Sequence, residues 1–333
     1  MADKIKISSI KGKNIVITGG LGFIGSNLAY SCVKYGSNVT IVDNLDPEAG
    51  GNNFNIQPFE NDIKVISGDI CDSNLMQKVL KTADIVINCA ALSSHTQSLH
   101  EPYRNLEVNS TAVLGMLEII KNINPRIQFI QIGTTTQIGK SHSSPVDESH
   151  QEFPLDPYSA HKSLAEKYTY MYSQVHGLKI NIIRLPNIYG PRAAINSQFL
   201  TFNNYFIGLA LQNKDITIYG DGLQYRNLLY VDDAVDAILN VTEKSAGSGE
   251  VYLAVHDDHV TVAEVAEKIV SVFGKGTVRY IPWPEGRKNI DVGDAIYTNK
   301  KIKRDIGWLP KTSFIEGLTK TKDYYYVCLE KYL

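Results

Sequence analysis

A glycine-rich turn is the feature of this sequence that most constrains its fold. The apolar run Asn14 to Thr18 leads directly into a segment with glycines at positions 19, 22 and 25, and a helix-compatible stretch follows. Glycines at this spacing allow a tight turn and a close approach of the backbone to a ligand. The N-terminus of the following helix offers unpaired N–H groups and a positive dipole end, which suit a pyrophosphate. Taken alone, the triplet also fits an ordinary turn.

Short apolar runs alternate with helix-compatible stretches through the first half of the chain. Most of these runs are largely apolar without strict alternation, which is typical of strands covered on both faces of a parallel sheet. The runs are Asn14 to Thr18, Asn38 to Asp43, Ile63 to Ser67, Ala83 to Asn88, Arg126 to Gly133 and Leu178 to Arg184. We therefore predict an α/β fold with a doubly wound parallel sheet of the Rossmann type.

The pattern changes after Pro186, where irregular segments rich in Asn, Gly and Pro separate shorter elements. This change predicts a smaller, mixed C-terminal lobe. Val251 to Val255 has the composition of one more sheet strand, so we expect the chain to return to the first domain. The predicted dinucleotide-binding domain is 1–185 with a return at about 228–256, and the predicted substrate lobe is 186–227 with 257–333.

Charge and composition exclude several function classes. Lys and Arg number 33 against 35 Asp and Glu, and this net charge of -2 gives no electrostatic footprint for nucleic acid. No apolar run approaches the roughly 18 residues of a membrane span and no signal peptide is recognisable, so we expect a cytoplasmic protein without a membrane partner. The cysteines are scattered and the pair His256 and His259 has no further His or Cys nearby in the sequence, so no metal is predicted.

An acidic residue closes the second predicted strand. Asp43 follows the last glycine of the turn by less than twenty residues. A carboxylate at this point accepts hydrogen bonds from the hydroxyl groups of an adenosine ribose and repels a 2′-phosphate. The next residues, Asn44 and Leu45, bring no cation that could hold such a phosphate. Together with the glycine-rich turn, Asp43 favours NAD over NADP as the cofactor.

Tyr158 and Lys162 lie one helical turn apart, so their side chains are predicted to share a helix face. A nearby cation favours phenolate, and we expect Lys162 to lower the pKa of Tyr158 into the range of a usable acid or base. The spacing alone is common and also fits a surface pair. Thr134, at the end of the preceding predicted strand, favours the catalytic interpretation, because its hydroxyl can contact the same substrate oxygen.

In this order, the motifs resemble those of the extended short-chain dehydrogenase/reductases that act on nucleotide sugars. The resemblance spans nearly the whole chain and includes the glycine-rich turn, Asp43 and the Tyr158–Lys162 pair with Thr134. The further matching segments are Gly68-Asp69-Ile70, Asn88-Cys89-Ala90-Ala91, Asn109, Arg184 to Arg192, and Tyr219 to Arg226.

The resemblance implies roles for individual residues. The residues expected to contact NAD are Gly19, Gly22, Phe23, Ile24, Gly25, Asp43, Asn44, Asp69, Ile70, Ala90, Asn109, Tyr158 and Lys162. Those expected to contact a nucleotide-diphosphate sugar are Ser93, Thr134, Asn187, Arg192, Arg226 and Arg287. Asn187 and Arg226 also suit phosphate oxygens on chemical grounds, since both donate hydrogen bonds. For Ser93, and for Ser94 and His95 beside it, the alternative is a loop that caps a turn.

Departures from the family pattern select the expected reaction. Related 4,6-dehydratases carry an Asp-Glu pair directly after the catalytic threonine, where this chain has Thr135 and Thr136. Thr134, Tyr158 and Lys162 with NAD suffice to remove a hydride and return it, which is the chemistry of a nucleotide-sugar 4-epimerase. A C2-epimerase, a 4-ketoreductase and a non-catalytic NAD-sensing regulator remain as alternatives. The resemblance also implies a homodimer through the predicted helices 103–122 and 158–174.

Overall fold

The computed structural model describes residues 9–245 and 247–333. The strands in chain order are β1 (Asn14–Thr18), β2 (Asn38–Asp43), β3 (Ile63–Ser67), β4 (Ile85–Asn88), β5 (Gln128–Thr134), β6 (Lys179–Leu185), β7 (Asn187–Tyr189), β8 (Ile216–Tyr219), β9 (Tyr225–Arg226), β10 (Leu228–Tyr230), β11 (Ser248–Leu253), β12 (Val260–Thr261) and β13 (Val278–Ile281). Seven of them form one parallel sheet in the order β11-β6-β5-β4-β1-β2-β3. The predicted Rossmann-type fold is confirmed.

Helices connect the strands and cover both faces of the sheet. In chain order they are α1 (Phe23–Lys34), α2 (Ser73–Leu80), α3 (His95–His100), α4 (Pro102–Leu106), α5 (Ala112–Ile123), α6 (Pro157–His176), α7 (Phe202–Leu211), α8 (Val231–Lys244), α9 (Val262–Phe273), α10 (Lys300–Ile306) and α11 (Phe314–Cys328). The stretch predicted as one helix over 103–122 is α4 and α5 joined by a π-helical turn, Glu107–Thr111. None of the helices in the described part of the chain is long and apolar enough to cross a membrane.

The apolar strands bury side chains on both faces. Ile15 and Ile17 of β1 belong to the core that includes residues of α1 and α8, whereas Val16 packs in the core formed with α2, α5 and α6. This two-sided burial explains the continuous apolar runs in the sequence. The edge strand β3 is the exception, because Val65 is 40% exposed there.

The remaining strands form three two-stranded sheets, β7 with β10, β8 with β13, and β9 with β12. β1, β2 and β3 have the predicted bounds, and the ends of β4, β5 and β6 differ from prediction by at most two residues. The return of the chain to the main sheet is made by β11. The domain boundaries and the homodimer stay predictions; on the helices named for the dimer, Tyr103, Tyr170 and Val175 are exposed.

Candidate active site

A cavity of about 770 Å³ lies at the carboxyl ends of the sheet strands. This edge of a parallel α/β sheet is where such folds bind ligands. The predicted site residues that line the cavity are Gly19, Gly22, Phe23, Ile24, Gly25, Asp43, Asn44, Asp69, Ile70, Ala90, Ser93, Thr134, Tyr158, Lys162, Asn187, Arg226 and Arg287. The fold therefore brings most of the predicted cofactor contacts and most of the predicted substrate contacts to one cavity.

The glycine-rich turn leaves no room for side chains. Gly19 has a φ of +65°, and a Cβ there would lie 2.7 Å from the backbone nitrogen of Ala90. A Cβ on Gly25 would overlap the carbonyl oxygen of Gly19, so α1 packs directly on the turn. Gly22 stands at the N-cap of α1, where no described side chain caps the helix. The free N–H groups and the open backbone at this end fit the pyrophosphate of a dinucleotide.

Backbone N–H groups hold the carboxylate of Asp43 at the end of β2. One oxygen accepts a hydrogen bond from the N–H of Leu21 at 2.9 Å, and the other accepts from Leu45 at 2.8 Å. Each carboxylate oxygen keeps a further lone pair for a ribose hydroxyl. The glycine-rich turn and the ribose acceptor are therefore parts of one hydrogen-bonded unit.

Asn44 and Asp69 form the adjoining wall of the cavity. The amide of Asn44 donates to Asp69 at 2.9 Å, and the N–H of Cys71 donates to the other carboxylate oxygen at 2.8 Å. Burial raises the pKa of Asp69, but these hydrogen bonds and the more distant Arg104 outweigh it and leave the pKa below its usual value. Asp69 is therefore an ionised acceptor beside the position expected for adenine.

Arg104 is a cation near the adenosine end that the sequence did not single out. Its guanidinium pairs with the carboxylates of Asp46, Glu48 and Glu101, at 2.7 Å for Glu48 and 3.2 Å for Glu101. Three carboxylates around one guanidinium leave it poorly suited to a 2′-phosphate, since a phosphate would add another anion to the cluster. This arrangement agrees with a preference for NAD.

Asn109 is placed differently from the prediction. It does not line the cavity but lies buried behind the loop after β4. Its amide donates to the carbonyl of Leu92 at 2.9 Å, and its oxygen accepts from the N–H of Leu92 at 3.1 Å. Asn105 donates to the same carbonyl at 3.0 Å. Asn109 therefore fixes the loop that forms the cavity wall, and its contact with the cofactor stays a prediction.

Thr134, Tyr158 and Lys162 meet on the cavity wall, and all three are buried. Lys162 donates to the carbonyl oxygen of Ile132 at 2.6 Å, and burial lowers its pKa to about 8. Burial also raises the pKa of Tyr158, while the neighbouring Thr134 hydroxyl acts in the opposite direction. Desolvation of the phenol is the largest influence on the Tyr158 pKa, so the lowering expected from Lys162 is not seen in this structure.

The hydroxyls of Thr134 and Thr136 lie 3.1 Å apart, and Thr136 is 3.0 Å from the hydroxyl of Ser159. The Ser159 hydroxyl also donates to Asp156 at 3.0 Å. Asp156 caps α6 by accepting from the N–H of Ser159 at 2.9 Å. A chain of hydroxyls thus links Thr134 to a buried carboxylate.

The same carboxylate holds His95. Nδ1 of His95 lies 2.8 Å from Asp156, and the imidazole packs edge-on against the ring of Tyr158 with ring centroids 5.0 Å apart. Burial raises the pKa of Asp156, but the contact with His95 and the bonds from Ser159 lower it below its usual value. His95 was expected only as a loop residue near the sugar, and its pairing with Asp156 was missed because the two are far apart in sequence.

The two arginines predicted for the substrate diphosphate contact groups of their own chain. Arg226 forms an ion pair with Asp291 at 2.7 Å and donates to the carbonyl of Gly293 at 2.7 Å. Arg287 donates to the hydroxyl of Thr96 at 2.7 Å. Both guanidinium groups border the cavity, so a phosphate would have to displace or join these partners.

Arg192 is not placed as predicted. Its side chain lies buried against α1, where it donates to Asn27 at 3.1 Å. The guanidinium carbon is 4.9 Å from the ring of Tyr30 and 5.5 Å from that of Phe59. Arg192 does not border the cavity, and its cation–π contacts give it a role in packing.

The cavity wall also contains an aromatic pair, Tyr219 and Trp283, which was not predicted from the sequence. Tyr219 and Trp283 have ring centroids 5.8 Å apart, and Gly220 allows the indole to approach, since a Cβ there would lie 2.5 Å from Nε1. Flat faces of this kind suit a planar base. In the described part of the chain, no group of three or more His, Cys, Asp or Glu is arranged to hold a metal ion.

Comparison with known proteins places this site in a family. Residues 16–321 match the family model described as GDP-mannose 4,6 dehydratase. The chain is 30% identical to dTDP-D-glucose 4,6-dehydratase from Homo sapiens, over 94% of this chain and 90% of the relative.

Two solved structures are similar over nearly their whole length. One is UDP-glucose 4-epimerase with UDP-glucose from Thermotoga maritima, 30% identical, with a TM-score of 0.86 and coverage of 95% of this chain and 99% of the other. The second is dTDP-glucose 4,6-dehydratase from Bacillus anthracis in complex with NAD, 26% identical, with a TM-score of 0.84 and coverage of 96% and 98%.

The chain belongs to the GDP-mannose 4,6-dehydratase-type family of extended short-chain dehydrogenase/reductases. Its members include nucleotide-sugar epimerases and dehydratases, and NAD is the cofactor. The glycine-rich turn, Asp43 and Asp69 fit that cofactor in charge and in space, as described above.

Proposed function

We propose that this enzyme interconverts two C4 epimers of a nucleotide-diphosphate sugar. One observation carries the proposal: the residues that follow the catalytic Thr134 are Thr135 and Thr136, so hydroxyls stand where a dehydratase of this family needs two carboxylates. A hydroxyl near neutral pH neither protonates a leaving group nor removes a carbon-bound proton efficiently. Tyr158 and Thr134 can act on the oxygen of an alcohol.

NAD, when bound, supplies the acceptor and donor of the hydride that leaves and returns to C4. Tyr158 takes the proton of the C4 hydroxyl and later gives it back, and Thr134 hydrogen-bonds the same oxygen. Lys162 lines the cavity and would donate to a ribose hydroxyl of the cofactor. Because the hydride is returned in every turnover, no external reductant is consumed.

The substrate class is proposed from the cavity and from the relatives. Asn187, Arg226 and Arg287 provide donors for a diphosphate, and the Tyr219–Trp283 pair provides a face for a base. The similar epimerase structure contains UDP-glucose, whereas the human relative is named for a dTDP sugar. The base and the sugar are therefore left to experiment.

The proposal is tested by incubating the NAD-loaded enzyme with UDP-, dTDP- and GDP-hexoses in the absence of added reductant. The expected product has the same mass as the substrate and a changed H3–H4 coupling in its proton NMR spectrum. A change confined to H1–H2 would move the reaction to C2. Loss of water would identify a 4,6-dehydratase, and turnover that stops unless NADH is added would identify a ketoreductase; each of these results contradicts the proposal.

A further inference from the structure

His95 has the geometry of a second acid/base group in the cavity. Its side chain is 35% exposed, whereas that of Asp156 is 2% exposed. A carboxylate buried to this degree needs hydrogen-bond donors, and an ionised one can only accept. The 2.8 Å contact therefore requires the proton on Nδ1 of His95. In the neutral imidazole, the lone pair is then on Nε2.

Nε2 of His95 is free to act on a ligand. It has no hydrogen-bond partner among residues 9–245 and 247–333, and His95 lines the cavity. The imidazole ring lies 5.0 Å from the ring of Tyr158. His95 and Tyr158 are therefore direct neighbours, and both line the cavity. An imidazole oriented by a carboxylate is the arrangement that general bases use.

We propose that His95 exchanges a carbon-bound proton next to the ketone of a 4-keto sugar bound in this cavity. The proposal rests on the proposed function, because it assumes a nucleotide sugar with its C4 oxygen at Tyr158. It adds a second activity to hydride transfer: the carbons that flank C4 carry acidic hydrogens whenever C4 is a carbonyl, and His95 is the base placed to remove one.

The step is redox-neutral and balanced. The Nε2 lone pair takes the proton, the C–H electron pair becomes the carbon–carbon double bond of an enolate, and the charge moves to the C4 oxygen. The hydroxyls of Tyr158 and Thr134 donate to that oxygen, since the phenol of Tyr158 carries the alcohol proton whenever C4 is a ketone. In the reverse step, the imidazolium returns a proton to carbon. Because His95 is partly exposed, its proton exchanges with solvent in between.

Thr135 and Thr136 explain why the base would come from another element. Neither carries a carboxylate, and Thr136 is engaged in the hydroxyl chain that leads to Asp156. Asp156 thus connects the two parts of the site: it orients His95 directly and contacts Thr134 through Ser159 and Thr136.

The experiment supplies the ketone directly, so that its outcome does not depend on C4 epimerisation. UDP-4-keto-6-deoxy-D-glucose is incubated in D₂O with the NAD-loaded enzyme, and the H3 and H5 signals and the mass are followed. The wild-type enzyme is expected to introduce deuterium at C3 or C5 faster than buffer alone. His95→Asn, which can still donate to Asp156, is expected to slow the exchange roughly 100-fold or more. His100→Asn, at the exposed end of the same helix, is the matched control and is expected to equal the wild type.

Exchange by the wild type that is no faster than in buffer would overturn the proposal, as would equal exchange by His95→Asn. Since a variant can lose activity through misfolding, a second variant is needed. His95→Ala with added imidazole should recover part of the exchange, measured against imidazole without enzyme, whereas a structural role for His95 predicts no recovery. Failure of the hexose panel to show C4 inversion would contradict the proposed function and leave this result standing.

Discussion

The cofactor side and the substrate side of the cavity differ in what holds their polar groups. On the cofactor side, Asp43 is fixed by two backbone N–H groups, and Gly19 and Gly25 are fixed by direct backbone contacts. On the substrate side, Arg226 and Arg287 contact Asp291 and Thr96, which are side chains distant from them in sequence. The cofactor side is preorganised for its ligand, whereas the arginines of the substrate side must exchange partners before they can hold a diphosphate.

This difference has an energetic consequence. Preorganised donors and acceptors bind a ligand without reorganisation, which favours a cofactor that stays bound between turnovers. Arginines that already have partners give up those interactions on binding, so part of the attraction to phosphate is cancelled. We therefore expect the substrate to bind less tightly than the cofactor. Weaker binding suits a molecule that is released in every turnover.

The largest effect is expected where the two sides meet, at Tyr158. Tyr158→Phe removes the proposed proton acceptor and leaves a ring of nearly the same shape. Turnover should fall roughly 100- to 10,000-fold, the range for a positioned acid or base, with little change in the affinity for UDP. Tyr170→Phe, on the exposed face of the same helix, is the control. Steady-state kinetics with calorimetric titration of UDP would check this, and retained turnover would refute the mechanism.

The cofactor side is tested by adding one methyl group. Gly25→Ala forces a Cβ onto the carbonyl oxygen of Gly19, and overpacking of this kind costs about 1–3 kcal/mol, or roughly 5- to 150-fold in NAD affinity if it falls on the turn. Gly115→Ala is the matched control, because nothing lies within 4 Å of its Cβ position on α5. Calorimetric titration of NAD should separate the two variants. Equal affinities would show that the close packing of α1 is not required for the cofactor.

The same contrast explains how much the sequence predicted. The strands and the glycine-rich turn depend on local patterns, such as apolar runs and glycine spacing, and these elements have nearly the predicted bounds. Asn109 and Arg192 match family motifs by position, but their side-chain directions depend on tertiary packing. Arg192 has a φ of +73°, and its guanidinium lies against α1.

Side-chain contacts between residues far apart in the chain could not be predicted from the sequence. The partner of His95 is Asp156, which also has the ordinary role of an N-cap residue, so the sequence offered no reason to connect the two. Asp291 pairs with Arg226 in the same way. A signal for the first pair was present in one respect: Asp156 lies directly before the helix that carries Tyr158, and is therefore close to that side chain.

A smaller effect is expected from pH. Burial lowers the pKa of Lys162 to about 8, so the ammonium loses its charge as the pH rises through that value, well below the usual pKa of a lysine. A charged donor is worth about 1 kcal/mol more than a neutral one, so NAD affinity should fall roughly fivefold between pH 7 and pH 9. NAD titrations at both pH values would show this. Lys162→Met should remove the pH dependence, and an unchanged dependence in that variant would point to another group.

A change as small as the pH effect is expected on the substrate side, at Asp291, and its sign shows whether Asp291 competes with phosphate or orients Arg226. Arg226 and Asp291 are 12% and 18% exposed, so their charges are only partly screened by solvent. If Asp291 competes with phosphate for the guanidinium, Asp291→Asn removes an anion from the diphosphate position and UDP should bind about threefold to tenfold more tightly, or about 1 kcal/mol. The variant can still accept a hydrogen bond from Arg226.

Asp62→Asn is the control, because it changes the net charge by the same amount as Asp291→Asn. Asp62 is exposed and does not border the cavity. If UDP binds Asp291→Asn more weakly in calorimetric titrations, Asp291 holds Arg226 in the orientation that phosphate requires, and the substrate side is preorganised like the cofactor side.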